Sequence, residues 1–181
     1  GRVANLLVTG ADTAGDSLEA VIREIGALPG SHSVAVARLG INLFAVDCEA
    51  EVDKVAAAAP GARVVCRIHC DGTGSEWPLS RKFGCEPEYA ADILEYAHRQ
   101  GLLPHGISFH VGSQQHNIEA WDRALASTAA IFRTCAERGI TLAMVNLGGG
   151  FPARYVRKTP KLESYGKAIF RSLRKHFGNA I

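Results

Sequence analysis

Leu142-Ala143-Met144-Val145-Asn146-Leu147-Gly148-Gly149-Gly150 is the stretch that decides the fold. A short apolar run of strand length passes straight into three glycines, as a buried strand does when its C-terminal end opens into a loop of bare backbone. Working outward, Gly106-Ile107-Ser108-Phe109-His110-Val111 reads as another strand, and Arg63-Val64-Val65-Cys66-Arg67-Ile68 as a third, β-branched and short. Leu43-Phe44-Ala45-Val46 is a fourth. Helical patterns lie between them. Asp47 is placed to cap a helix through Glu51, Val52 and Val55 that stops at Pro60-Gly61. A second helix starts near Pro87, a favoured first-turn residue, and ends at Gly101. Asn117 is placed to cap a longer one, where Trp121, Leu125, Thr128, Phe132 and Cys135 form a single stripe before Gly139. The last helix spans roughly Leu162 to Phe177. Strands separated by helices, without hairpin signals, require crossover connections and so a parallel sheet. An open doubly wound sheet and a (β/α)8 barrel both satisfy this pattern.

The composition limits the classes of function. Of 181 residues, 47% are hydrophobic and 21% charged, so a packed globular domain is expected rather than a disordered chain. A net charge of +2 gives no reason to expect a nucleic-acid partner, and no apolar run is long enough to span a membrane. The five cysteines are odd in number and scattered, which suits a reducing, cytoplasmic setting. Residues 154–175 carry eight Lys or Arg against Glu163 alone. Without interleaved aromatic platforms, this reads as a solvated helix face that complements an acidic region. In residues 1–30, Val3 to Val8 has strand character and Asp16 with Glu19 forms a capping box.

Three features carry chemistry. Successive glycine N–H groups after a parallel strand form an anion nest where side chains would block a phosphate; a plain tight turn is the competing reading. His110 and Ser113 stand at the C-terminal end of their strand, the functional end of parallel barrels. Arg67 puts a charge in a strand interior, where it needs a partner or an anion. Cys66 and Cys70 do not read as a zinc pair: if this stretch is a strand, four residue steps place them about 13 Å apart.

Taken together, residues 63–152 resemble the pyridoxal-phosphate-dependent decarboxylases of basic amino acids, the ornithine decarboxylase group with its alanine-racemase-like barrel. The stretches concerned are Phe44-Ala45-Val46-Asp47 with Glu49 and Glu51, Arg67, the Glu76-Trp77-Pro78 loop, and Leu79-Ser80-Arg81-Lys82-Phe83-Gly84. They continue with Ser108-Phe109-His110-Val111-Gly112-Ser113 and Leu147-Gly148-Gly149-Gly150-Phe151-Pro152. The resemblance implies pyridoxal 5′-phosphate as cofactor. His110 would stack on its pyridine ring, Ser113, Gly148, Gly149 and Gly150 would hold its phosphate, and Arg67 would lie inside the barrel near the ring's oxygen substituent. Asp47 and Lys82 would reach towards a second subunit of a homodimer, or of a partner decarboxylase, and the substrate would be a small amino acid, ornithine or lysine.

The departures are equally specific. The family anchors its cofactor on a lysine in an early strand, whereas the first lysine here, Lys54, falls on a helix. The Glu-Pro-Gly-Arg segment and the C-terminal β-domain of the family have no counterpart in the 181 residues, so no residue is assigned a catalytic role. The expected fold class is α/β: an incomplete TIM (β/α)8 barrel of about four to five βα units over residues 31–181, following an N-terminal segment, residues 1–30. Two functions follow. One is a fragment of a decarboxylase that makes putrescine from ornithine for polyamine biosynthesis, inactive in isolation. The alternative is a non-catalytic relative that binds cofactor weakly or regulates a decarboxylase subunit.

Overall fold

The computed structural model describes residues 41–78, 83–154 and 159–178; the features read in residues 1–30, the motif residues 79–82 and the interface candidate Lys82 lie outside them. The elements are β1 (Leu43–Val46), α1 (Glu49–Ala58), β2 (Arg63–Arg67), β3 (Ser75–Trp77), α2 (Pro87–Arg99), β4 (Leu103–Ser108), β5 (Ser113–Gln115), α3 (Ala120–Glu137), β6 (Met144–Asn146) and α4 (Leu162–Phe177). Four strands form one parallel sheet in the order β1-β2-β4-β6. Each is joined to the next by a crossover through a helix, as the sequence pattern requires. No helix among the described residues is long and apolar enough to cross a membrane.

The alternation of side chains divides this sheet into two faces. Phe44, Val46, Val64, Cys66, Ile68, Ile107, Phe109 and Val111 enter one apolar core with the helices, and Val145 and Leu147 pack against it. The intervening residues Val65, Arg67, Ser108, His110, Asn146 and Gly148 therefore face the other way. Pairing aligns them: Arg67 lies opposite Ser108, which lies opposite Asn146. One irregularity sets this register. Val64 pairs with Pro104 but Val65 with Gly106, so His105 is an extra residue in β4. Pro104 has no N–H to give the ladder and is tolerated beside such a bulge. It also hides the first half of β4 from sequence, where the strand reads as starting at Gly106.

Helix α3 buries Trp121, Leu125, Thr128 and Cys135 as the stripe predicts. The Thr128 hydroxyl, fully buried, donates to the Ala124 carbonyl at 2.8 Å, whereas the buried Trp121 Nε1 on the same stripe has no hydrogen-bond partner among the described residues. Two expectations about helix starts need correction. Asp47 does not cap α1, whose N-cap residue is Cys48 with no side-chain cap; Asp47 Oδ2 instead accepts the Gly84 N–H at 3.0 Å. Asn117 stands two residues before the N-cap residue Glu119, yet its Oδ1 accepts the Glu119 N–H at 3.0 Å and so orders the turn that leads into α3. A third correction concerns the loop at Gly72 to Pro78. It contains β3, which pairs antiparallel with β5 in a separate two-stranded ribbon, Trp77 facing Ser113. Cys66 Sγ meets Cys85 Sγ at 3.5 Å, not Cys70.

The basic helix α4 is partly neutralised. Lys167 pairs with Glu163 at 2.6 Å, and Lys175 reaches Asp122 on α3 at 3.0 Å. Hydrogen bonds from Ser172, Lys175 and His176, opposed by some burial, bring the Asp122 carboxyl down to about 2. Because the folded value lies below the ordinary one, this contribution to stability is present above about pH 4 and is lost as the pH falls towards about 2. The melting temperature of the wild type should therefore fall more steeply over that window than that of Asp122→Asn, as measured by circular dichroism. Parallel curves would remove Asp122 from the acid response.

Candidate functional site

The inward residues of β2, β4 and β6 converge at the C-terminal ends of these strands. Beyond β4 the chain turns back through Gly112, and beyond β6 it enters the triple glycine. Gly148 has φ +64° and a β-carbon there would collide with the Phe109 carbonyl oxygen; Gly150 has φ +101° and its β-carbon would collide with the Gly112 carbonyl oxygen. Both positions need glycine twice over, for the left-handed backbone and for the close approach. Gly149 differs. Its φ is not left-handed, and a β-carbon would meet the His110 Nε2 at 3.5 Å, an ordinary contact. Its bare backbone thus lies one van der Waals layer from the imidazole.

His110 is half-buried and its Nδ1 accepts the Gly112 N–H at 3.0 Å. That bond leaves the ring proton on Nε2, facing the glycine loop. Burial first, and then the positive Arg67, hold the imidazole below its ordinary value, so the ring is neutral at pH 7. The Arg67 guanidinium lies 5.0 Å from the centroid of the Phe83 ring. Burial lowers its affinity for a proton, and the nearby Asp47 partly restores it. Cys70 borders the same region: burial pushes its thiol up to about 11, despite a hydrogen bond with the His110 backbone.

These residues fit a phosphorylated pyridine. Among the described residues the N–H groups of Gly149 and Gly150 have no acceptor, while the Gly148 N–H is taken by Asn146 Oδ1 at 2.8 Å. Two free amides beside a neutral, flat ring suit an anion attached to an aromatic system. Ser113, on β5, sits at the rim opposite Trp77. The structure brings His110 and Gly149 into contact range and sets Arg67 and His110 on one face of neighbouring strands. Asp47, expected at an interface, is engaged within its own chain by Gly84.

Sequence reasoning missed the polar framework beneath this loop. Gln115 is fully buried, and its side-chain amide donates to the Val111 carbonyl at 2.8 Å and to that of Thr73 at 3.2 Å. The aromatic trio Trp121, Phe151 and Tyr165 holds the chain just after the glycines, with Phe151 stacked on Trp121 at 5.0 Å. The Gln114-Gln115 doublet after Gly112-Ser113 was the available signal, but two adjacent glutamines do not say which one is buried.

With this geometry in view, the chain belongs to the pyridoxal-dependent decarboxylases: the model of their pyridoxal-binding domain matches residues 13–180. Pyridoxal phosphate is the cofactor of that domain. Among particular relatives, the lysine/ornithine decarboxylase of Selenomonas ruminantium is 39% identical over 118 residues, 65% of this chain and 30% of that protein. Antizyme inhibitor 2 of Xenopus laevis is 34% identical over 116 residues, 64% of this chain and 25% of that protein. A crystal structure of SrLDC in complex with PLP and cadaverine superposes with a TM-score of 0.73 at 33% identity, over 83% of this chain and 38% of the other. The chain therefore spans less than a third of the curated relatives it matches, consistent with an incomplete barrel.

The glycines separate folding from binding. Gly148→Ala should cost at least about 1–2 kcal/mol from its left-handed φ alone, before the collision is counted. Gly149→Ala should melt within a few degrees of the wild type yet bind pyridoxal phosphate about tenfold more weakly, because its methyl group, beside the His110 ring, stands where the phosphate must approach the N–H. Calorimetric melting and a fluorescence titration measure both; equal affinity for Gly149→Ala and wild type would reduce the triple glycine to a turn.

Proposed function

We propose that this chain is the cofactor-binding segment of a decarboxylase acting on ornithine or lysine, releasing the corresponding diamine, putrescine in the case of ornithine. By itself it binds pyridoxal phosphate non-covalently and does not turn over an amino acid. The observation that carries this reading is the neutral His110 ring in contact range of the open Gly149 backbone, with Arg67 on the same face. When bound, the cofactor supplies an electron sink for the carbanion left by the departing α-carboxylate. The protein's own part is binding and orientation. Gly149 and Gly150 donate to the phosphate, and Ser113 adds a hydroxyl at the rim. His110 offers a flat uncharged surface that does not compete for a proton, and Arg67 places positive charge towards the oxygen substituent of the ring. The described lysines, Lys54, Lys161, Lys167 and Lys175, all lie on or next to helices and none on a strand. This supports binding without a covalent anchor. Assembly as a homodimer, with Asp47 and Lys82 near the interface, and a cytoplasmic location belong to the same proposal; the five cysteines, all free, favour a reducing compartment.

A second reading is favoured by one observation: the relative from Xenopus laevis is named as an inhibitor of antizyme and not as a decarboxylase. On that reading the chain binds a decarboxylase subunit and changes its behaviour. Sedimentation of the chain mixed with an intact decarboxylase separates the two, since only the regulator forms a heterologous complex.

Pyridoxal phosphate added to the chain should quench tryptophan fluorescence, because Trp77 faces Ser113 at the rim. Borohydride reduction followed by peptide mass mapping should find no lysine modified in preference to the others. A single stoichiometric lysine adduct would overturn the non-covalent reading, and absence of any quenching would overturn cofactor binding.

A further inference from the structure

Two consecutive glutamines tie the glycine loop to the turn after His110. Gln114 is the one non-glycine among the described residues with a left-handed backbone, φ +53°. Its side chain bonds at both ends to a single residue of the opposite loop: Nε2 donates to the Ala153 carbonyl at 3.2 Å, and Oε1 accepts the Ala153 N–H at 2.7 Å. The next residue, Gln115, donates its backbone N–H to the Gly150 carbonyl at 2.8 Å, while its own carbonyl accepts the Tyr165 hydroxyl at 3.0 Å. Residues 114 and 115 thus grip residues 153 and 150 like two rungs, with Phe151 pinned between them on Trp121.

The two rungs are not equivalent. Gln115 is buried and its side chain satisfies three backbone groups, those of Thr73, Val111 and Asn117, so it serves folding. Among the described residues, the side chain of Gln114 bonds to nothing but Ala153 and enters no apolar core. Its backbone holds a conformation that disfavours any residue with a β-carbon and that glycine adopts freely. A residue that strains the backbone, yet whose contacts all go to the loop carrying the open amides, points to the site and not to stability.

We propose that Gln114 is a positioning residue for the phosphate: its amide clamps Ala153 and, with the bond from Gln115 to Gly150, fixes the direction of the Gly149 and Gly150 N–H groups. The proposal rests on the reading of the triple glycine as a phosphate cradle. Its signature is selectivity. Loosening the clamp weakens whatever carries a phosphate and leaves a dephosphorylated ring unaffected.

The test uses the full 181-residue chain as wild type and Gln114→Gly, with pyridoxal phosphate, pyridoxal and inorganic phosphate as probes, read by fluorescence titration and by thermal melting. Gln114→Gly should melt at or above the wild-type temperature, because glycine suits the backbone. It should bind pyridoxal phosphate and inorganic phosphate about tenfold more weakly, because the Gly149 and Gly150 amides are no longer held in one direction before the anion arrives, and pyridoxal as before. Affinity for pyridoxal phosphate within twofold of the wild type would overturn the proposal. So would an equal loss for pyridoxal, or a melting temperature lowered by several degrees, which would assign the amide to folding. A wild-type chain that binds neither pyridoxal phosphate nor inorganic phosphate would fail the cradle reading itself, before any variant is compared, and would take the proposal with it.

Discussion

Backbone packs directly on backbone at the C-terminal ends of β4 and β6, with no room for a β-carbon between them. The Phe109 carbonyl touches Gly148, the Gly112 carbonyl touches Gly150, and Gly112 in turn lies against the Ser75 side chain. Two segments far apart in sequence therefore meet through their main chains, and a third packs a side chain against them. Whatever binds there is met by peptide dipoles before side chains, and a fixed array of N–H groups costs no reorganisation when an anion arrives. The remaining features follow from this contact. The parallel register places Arg67 and His110 on the same face, and the short β3–β5 ribbon and the two glutamines hold the loops at the required separation.

The electrostatics of the site are those of a binder. Arg67 brings a full positive charge, but the guanidinium is a poor proton acceptor. His110 is neutral, with Nδ1 already occupied by the Gly112 N–H, so it is poorly placed to act as a base through that atom. The described lysines lie on or next to helices, and the carboxylate of Asp47 is turned to Gly84 and to the charge of Arg67. On the proposed reading, the arrangement orients a phosphorylated aromatic ring and leaves proton transfer to other residues.

Much of this was legible in the sequence, because hydrophobic spacing dictates the parallel strands, the buried stripe of α3 and the ends of α4 through local periodicity. The face on which Arg67 and His110 stand follows from alternation alone. What escaped notice depended on contacts between distant residues. Asp47 resembles a helix cap by position, yet its oxygen finds Gly84 some forty residues away. Strands β3 and β5 are three residues each, drawn from polar loops with no periodicity to detect. The burial of Gln115 arises only when the loops at Thr73, Val111 and Asn117 close around it, and Pro104 concealed the first half of β4. Local rules identified the elements; the polar framework that aims the site required the fold.

The most direct measurement of the central claim is heteronuclear NMR of the chain labelled with ¹⁵N-glycine and titrated with pyridoxal phosphate. The account predicts large downfield shifts of the Gly149 and Gly150 amide protons as they take up hydrogen bonds to phosphate oxygens, with the amides of Gly61, Gly101 and Gly139, at the distant helix ends, unmoved. Binding that leaves the Gly149 and Gly150 resonances in place would contradict it.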